Sequence, residues 1–131
     1  MRTILVLLTA ALVWAGTTAQ QKKSEQPPIK TTVAAILKEP DKFHRKRVQV
    51  EGKVDDLKKK TSRAGNDYTT FKLGSDDKHL NVFSYGHLNI EEDDTVIVVG
   101  VFYKEKRVGR SVFKNEIDAS PKVGGSVRRK N

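Results

Sequence analysis

The stretch RVQVEGKV, residues 47–54, decides the fold class of this chain. Val48, Val50 and Val54 alternate with charged and polar residues, and this period of two predicts a β-strand with one buried face. Gly52 lies within the strand, where a glycine indicates a bulge or a sharp bend. The sequence therefore predicts a strand that turns a corner and belongs to both halves of a curved sheet.

Four more strands are predicted after this stretch, at residues 68–73, 80–85, 95–103 and 111–119. In the second and third predicted strands, alternate side chains face inward, namely Thr69, Phe71, Leu73, Leu80 and Val82. The fourth (TVIVVGVFY) is nearly all apolar, which is typical of a strand buried on both faces. The segments between strands, residues 58–66 and 104–110, are predicted to be polar, basic loops.

A short helix precedes the strands. Residues 33–38 (VAAILK) follow Thr31 and Thr32, either of which can cap a helix, and Pro40 forces the preceding residue out of the helical region. The helix, the five strands and the bend together predict an all-β fold with a short N-terminal helix, a closed five-stranded barrel of the OB type. An SH3-like barrel is the main alternative, but its connections leave no room for the segment 86–94.

The N-terminal end differs in composition from the rest of the chain. Residues 1–19 combine a positive start, an apolar run and small residues up to Ala19, which is the layout of a secretory signal peptide. An uncleaved anchor is the weaker interpretation, because the run is too short to span a hydrocarbon core of about 30 Å. A buried helix is also weaker, because the run has no polar face. The sequence thus predicts export, to a periplasmic or secreted location, with no membrane span after cleavage.

Two flexible segments are predicted to flank the folded body, residues 31–120. Residues 20–30 (QQKKSEQPPIK) are predicted to be a polar linker, and residues 121–131 (PKVGGSVRRKN) a disordered basic tail. The whole chain has a formal charge of +9, whereas residues 31–120 carry 17 Lys or Arg against 15 Asp or Glu. Most of the excess positive charge therefore belongs to the ends, and the net charge alone is weak evidence about the partner of the domain.

Residue content excludes several kinds of chemistry. The 131 residues contain no cysteine, which removes disulfides, thiolate metal sites and thiol nucleophiles. His44, His79 and His87 lack the spacing of metal ligands, and the chain has neither a catalytic-triad pattern nor a lysine-containing phosphate loop. We therefore expect no enzymatic activity, no metal site and no cofactor.

Several motifs occur in one order along residues 33–119, namely PDKF (40–43), RVQVEGKV (47–54), YTTFKL (68–73), DTVIVVG (94–100) and NEID (115–118). In this order they resemble the bacterial OB-fold nucleic-acid-binding domains of the tRNA-anticodon and helicase-associated type, including exported relatives. The resemblance implies ligand binding without catalysis. Members of that family usually carry a glycine where this chain has Asp93, in the turn before the fourth predicted strand.

The predicted binding face lies on the second and third strands, where OB barrels bind oligonucleotides or oligosaccharides. Tyr68 and Lys72 on one strand, and Phe83 and Tyr85 on the next, are predicted to point outward, so that the aromatic rings can stack with bases. Packing against a barrel end is the alternative for these rings. A register slip of one residue would also turn every side chain to the opposite face.

The two basic loops supply the remaining candidates, which are Lys59, Lys60, Arg63, Lys104, Lys106 and Arg107. Solvated lysines are common in turns, so it is the joint placement of both loops at the rim that favours an anionic partner. The leading hypothesis is an exported, non-enzymatic protein that binds single-stranded nucleic acid or another anionic polymer. The alternative is an envelope interaction module that binds a peptide, an anionic glycan or a partner protein in the same groove.

Overall fold

The computed structural model describes residues 26–75 and 77–130. The predicted signal peptide and residues 20–25 of the predicted linker lie outside the described residues. The elements follow in chain order as β1 (Ile29–Thr31), α1 (Val33–Lys38), α2 (Pro40–Phe43), β2 (Arg47–Thr61), β3 (Asp67–Gly74), β4 (His79–Tyr85), β5 (Thr95–Val108), β6 (Ser111–Asp118), a 3-10 turn (Pro121–Val123) and β7 (Ser126–Arg129).

Five of these strands are joined in a closed ring. Antiparallel pairings connect β2 to β3, β3 to β4, β6 to β5 and β5 back to β2, and a parallel pairing between β4 and β6 completes the circuit. The short β1 runs parallel to β2, and β7 runs antiparallel to β5. The five predicted strands therefore form the ring, and two further strands extend it on either side of the β2–β5 pair.

The corner predicted at Gly52 coincides with a change of partner. Strand β2 pairs with β5 from Arg47 to Lys53, and from Val54 onward it pairs with β3. A Cβ atom at Gly52 would lie 3.0 Å from the side chain of Leu73, so the glycine allows the two strands to approach closely. Just beyond it, the register with β3 shifts between residues 55 and 58, where Asp56 has a φ of 53°. Close approach and bulge together bend the strand.

The core lies inside the ring. The inward alternation predicted for the second and third strands is confirmed in β3 and β4, and the fully buried apolar residues come from all five ring strands, including Val50, Leu73, Leu80, Phe102 and Ile117. Ile36 of α1 and Phe43 of α2 belong to the same cluster. Helix α1 starts after Thr32, whose side-chain oxygen accepts a hydrogen bond from the Ala35 N–H at 3.1 Å. Helix α1 thus packs onto the core through Ile36, with Val33 and Leu37 partly buried beside it, and α2 packs through Phe43.

The two predicted basic loops are wrong in part, because residues 58–61 of the first and residues 104–108 of the second are strand. Strand β2 continues through Lys58, Lys59 and Lys60 to Thr61, and β5 continues through Lys104, Lys106 and Arg107 to Val108. The backbones of these segments pair with β3 and β6, which supplies their hydrogen bonds without any apolar alternation in the sequence. The turns that remain are residues 62–66 and the Gly109–Arg110 turn of the β5–β6 hairpin.

The predicted disordered tail is also wrong for the residues that the structure describes. Residues 121–130 form the 3-10 turn and β7, and Val127 packs against the core. The Lys130 ammonium lies 3.0 Å from the Glu51 carboxylate, and Arg129 Nε lies 3.9 Å from Asp94 Oδ2. The physical reason is the free edge of β5, whose unpaired backbone groups favour an added strand regardless of the composition of that strand.

The domain also begins before the predicted boundary at residue 31. Ile29 and Lys30, the last residues of the predicted linker, lie in β1 opposite Val48 and Gln49. Arg47 reinforces this approach, since its Nη1 donates a hydrogen bond to the Gln26 carbonyl oxygen at 3.2 Å. In the described part of the chain, neither helix has the length or the continuous apolar surface required to cross a lipid bilayer.

Candidate nucleic-acid interface

An open groove of about 620 Å³ crosses the outward faces of β3 and β4. Its floor is formed by alternate residues of these strands, because the inward alternation that builds the core leaves the other residues facing out. One wall comes from the end of β2 and the turn 62–66, and the other from the β5–β6 hairpin. The groove is therefore bounded by the two segments that the sequence assigned to the rim.

A row of three aromatic rings occupies one end of this groove. Tyr68 and Phe83 stack with ring centroids 5.7 Å apart and planes inclined by 29°, and Phe83 meets Tyr85 edge-on at 5.0 Å. The β3–β4 register causes this arrangement, since it places Tyr68 opposite Tyr85 and Thr70 opposite Phe83. Tyr85 is 45% exposed, and the Lys122 ammonium of the 3-10 turn lies 5.2 Å from its ring centroid. The predicted outward face is thus present with the predicted register.

Four lysines surround the aromatic row, namely Lys58 and Lys60 from β2, Lys72 from β3 and Lys106 from β5. Lys60 lies opposite Tyr68 in the β2–β3 ladder, and Lys58 lies opposite Thr70. The only acidic partner recorded for Lys58 and Lys72 among the described residues is Asp56, whose Oδ2 is 3.6 and 3.9 Å from the two ammonium groups. Exposed pairs of this length contribute little to stability, so these cations are available to a ligand.

Six of the ten predicted site residues line the groove: Tyr68, Lys72, Phe83, Tyr85, Lys60 and Lys106. The other four lie outside it. Lys59 pairs with Thr69 and so alternates to the face opposite its two neighbours, and Arg107 does the same beside Lys106. Lys104 Nζ bonds Asp41 Oδ1 at 3.0 Å, on the side of α2, and Arg63 lies in the turn 62–66 without reaching the groove. For Lys59 and Arg107 the error comes from treating two strand ends as loops, in which alternation has no meaning.

Sequence reasoning missed several groove residues. Val108 and Phe113 of the β5–β6 hairpin line the groove and are 55% and 43% exposed, and Asp56 and Glu116 add carboxylates. The sequence signal was present in part, because Lys106, Val108 and Phe113 share one face once the hairpin pairs Lys106 with Phe113. For Glu116 the signal was the inward-facing Ile117 beside it, which turns Glu116 to the outward face together with Asn81, its partner in β4.

A buried charge cluster underlies the hairpin side of the groove. Glu116 is 7% and Asp118 6% exposed, and Lys106 Nζ lies 3.6 Å from Glu116 Oε2 and 3.7 Å from Asp118 Oδ2. Burial raises the pKa of Glu116, an effect that Lys106 opposes and the nearby Asp118 carboxylate reinforces. Lys106 also lies 5.0 Å from the ring centroid of Tyr103.

The segment between β4 and β5 holds the groove wall in place. Thr69 Oγ1 donates to the Gly86 carbonyl oxygen at 2.7 Å and accepts from the Leu88 N–H at 3.0 Å, which ties the start of this segment to β3. At its end, the Glu92 carboxylate accepts hydrogen bonds from the N–H groups of Asp56 and Leu57 in the β2 bulge. Residues 26–75 and 77–130 contain no group of three or more His, Cys, Asp or Glu side chains arranged to hold a metal ion.

Among the comparisons with known proteins, only the comparison of structures supports the fold. No family model and no curated protein matches the sequence. Among solved structures, the chain is similar to the OB domain of Ta0387 from Thermoplasma acidophilum, with 14% sequence identity and a TM-score of 0.50 over 78% of this chain and 87% of that one. The chain adopts an OB fold. In the OB fold, the second and third ring strands and the two flanking connections form the binding face, and these are the elements that bound the groove here.

Proposed function

We propose that this OB-fold protein binds single-stranded nucleic acid in the groove across β3 and β4, without enzymatic activity. The observation that carries the proposal is the row Tyr68, Phe83 and Tyr85 with Lys58 and Lys60 along its side. Stacking of a base on an aromatic ring contributes about 1–3 kcal/mol and tolerates any base. Lysines beside such a row neutralise phosphates of the same strand. The resemblance to the tRNA-anticodon and helicase-associated domains supports the same ligand class.

Export is part of the proposal and rests on the sequence of residues 1–19. A positive start, an apolar run and a small-residue end are what a secretory signal peptide requires. The expected mature chain starts near Gln20, and mass spectrometry of the protein from its native host tests this expectation. Recovery of a cytosolic chain that retains Met1 would contradict export and leave the binding proposal intact.

A second candidate function uses the same groove for a peptide, an anionic glycan or an envelope partner protein. The observation that favours it is the exposed apolar pair Val108 and Phe113 at the groove wall, because such side chains are typical of protein interaction surfaces. For the glycan alternative, heparin, an anionic polysaccharide, is titrated in the same series as the oligonucleotides. Tighter binding of heparin than of single-stranded DNA at equal salt would favour this second function.

The alternation of β2 provides the test of the proposed function. Lys58→Ala with Lys60→Ala removes two groove cations, whereas Lys59→Ala removes an identical charge from the opposite face of the same strand. Each phosphate contact on a single strand contributes about 0.7 to the slope of log affinity against log salt, so the double variant should flatten the slope by about 1.4. Lys59→Ala should change it far less. Equal effects from Lys59 and from the Lys58–Lys60 pair would overturn the proposed groove.

The aromatic row has its own test. Phe83→Ala should weaken binding of an oligothymidylate by about 1–3 kcal/mol at every salt concentration, because stacking releases no counterions. Fluorescence anisotropy with a labelled oligonucleotide measures both the affinity and its salt slope. Unchanged affinity of a folded Phe83→Ala protein would mean that the rings serve packing alone.

A further inference from the structure

The groove changes character along β4, from aromatic to polar. Phe83 and Tyr85 lie in its aromatic half, whereas Asn81, two residues earlier on the same face, is flanked by Lys72 of β3 and Glu116 of β6 in one row across the sheet. Lys106 reaches the same place from β5. A nucleic-acid strand that binds through base stacking and phosphate contacts alone would not use the polar half of the groove. The chemistry of the polar half therefore calls for a separate explanation.

Glu116 is the unusual member of the polar half. It is 93% buried as a residue yet lines the groove, and Lys106, the cation it approaches, stays 3.6 Å from Oε2 and is shared with Asp118. Asp118 is better satisfied, because its Oδ1 also accepts a hydrogen bond from the Ser120 N–H at 3.0 Å. An ionised carboxylate offers about four acceptor positions. Glu116 therefore presents unused acceptor capacity to whatever occupies the groove.

A ligand that fills the remaining acceptor positions of the Glu116 carboxylate must bring hydrogen-bond donors. A phosphodiester has none and is repelled by a carboxylate, so the backbone of a bound strand does not suit this position. Among the bases, guanine alone presents two adjacent donors, N1–H and the N2 amine, with the O6 acceptor beside them. A carboxylate accepts such a pair through two parallel hydrogen bonds, the arrangement that makes bidentate contacts strong, and a neighbouring ammonium donates to O6. Adenine, cytosine and thymine each offer one donor group at the corresponding edge.

The sheet places this carboxylate at the right distance from a stacking ring. Phe83 pairs with Asp118, and Glu116 precedes that residue by two on the same strand, so Phe83 and Glu116 are diagonal neighbours. Neighbouring strands are about 4.8 Å apart and same-face residues about 6.6 Å apart, so these diagonal positions are about 8 Å apart, within the reach of a base that lies on the ring and points its edge along the strand. Stacking and edge contacts can therefore act on one base.

We infer that the groove selects guanine, with the base stacked on Phe83 and its Watson–Crick edge bound to Glu116 and Lys106. This inference rests on the proposed binding of single strands and adds a sequence preference to it. Glu116 accepts from N1–H and the N2 amine, and Lys106 donates to O6. Asn81 is held beside them, since its Nδ2 donates to the Lys114 carbonyl oxygen at 3.1 Å.

The test compares labelled oligothymidylates of about ten nucleotides that carry one central guanosine, inosine, adenosine or cytidine, titrated into the full chain. We expect guanosine to bind about ten-fold more tightly than the all-thymidine strand, and inosine, which lacks the N2 amine, to lose most of this gain. This comparison needs no variant of the protein. Equal affinities for all strands, or preference for a base other than guanine, would overturn the inference while the proposed function stands.

Two variants extend the test to the protein. Glu116→Gln should abolish the guanosine preference, so that the guanosine strand binds no more tightly than the all-thymidine strand. Glu105→Gln is the matched control, because Glu105 lies on the adjacent strand β5, one residue from Lys106, and outside the groove. If Glu116→Gln weakens every strand alike, Glu116 serves structure and the inference is wrong. If no oligonucleotide binds the wild-type chain, the proposed function itself fails.

Discussion

Glu92 holds Asp56 in a left-handed backbone conformation, with its Oε2 accepting the Asp56 N–H at 2.9 Å where φ is 53°. Its other oxygen accepts the Leu57 N–H at the same distance. These two bonds stabilise the bulge at which β2 leaves Gly52 and turns along β3. The acidic segment before β5 thereby fixes the register that directs Lys58 and Lys60 into the groove.

Replacing this carboxylate should affect stability and binding together. We expect Glu92→Ala to lower the free energy of unfolding by about 1–2 kcal/mol, because the Leu57 N–H loses its charged acceptor and the Asp56 N–H is left with Asp55 Oδ1, at 3.0 Å. Oligonucleotide affinity should fall as well, since Lys58 and Lys60 lose their fixed positions. Glu91→Ala is the control, as the recorded contacts of Glu91 are made by its backbone. Urea unfolding and anisotropy measure the two effects, and equal results for both variants would contradict the role of Glu92.

Asp93 has a left-handed backbone conformation, which glycine adopts more easily than aspartate. Its φ is 71°, and its N–H donates to the Val54 carbonyl oxygen at 2.9 Å, while its side chain makes one exposed ion pair at 4.0 Å with Lys53. We expect Asp93→Gly to raise the free energy of unfolding by about 0.5–1 kcal/mol, because glycine adopts positive φ without steric cost. Asp93→Ala should lower it. A gain in both variants would assign the effect to the lost charge, and urea unfolding distinguishes these outcomes.

Acid should stabilise the protein through Glu116. Burial raises the pKa of this carboxyl above the ordinary value of about 4.3, so the fold favours the protonated form. The stabilising contribution is therefore full below the ordinary pKa and is lost as the pH rises through the raised one. Glu116→Gln should remove this loss. The melting temperature of the variant, relative to that of the wild type, should therefore be higher at about pH 7 than at about pH 4. An unchanged pH profile would show that Lys106 fully compensates the buried charge.

Gly125 controls the attachment of the last strand. A Cβ atom there would collide with the backbone carbonyl of Ala119, against which the turn before β7 is packed. We expect Gly125→Ala to lower the free energy of unfolding by about 1–3 kcal/mol and to free β7. Trypsin should then cleave faster at Arg128 and Arg129 than in wild type, which limited proteolysis with mass spectrometry will measure. Cleavage at the wild-type rate would mean that the turn adapts without releasing the strand.

The sequence predicted the parts of the fold in which apolar residues alternate. Val48, Val50 and Val54 indicated β2, and the same period in β3 and β4 gave the register that places Tyr68 and Phe83 in the groove. Where the strand ends carry consecutive lysines, as at residues 58–60, no alternation is visible, and the loop prediction failed. These residues form a strand because their backbone pairs with β3, and such pairing is not visible in the hydropathy of the side chains.

The strand formed by the tail and the position of the buried carboxylates could not be predicted from the sequence, for a related reason. Nothing in the composition of residues 126–129 distinguishes an edge strand from a flexible basic tail, because the decisive feature is the open edge of β5, where Val98 pairs with Val127. Glu116 likewise lines the groove because β6 pairs with β4, which sets Glu116 beside Asn81. Both outcomes depend on contacts between segments that are far apart in the chain.

Strand β5 has neighbours on both sides along its first half, with Val98 paired to Val50 of β2 and to Val127 of β7. Amide protons in such a segment exchange with deuterium only when the surrounding sheet opens. Those of Val96 to Val99 should therefore report the slowest, global opening, while the Gly109–Arg110 hairpin tip reports fast local fraying. A base bound at the hairpin wall would slow the fast class by direct contact, whereas the slow class would slow only by the amount that the ligand stabilises the whole fold. Comparing the two classes therefore separates local ligand contact from global stabilisation without any mutation.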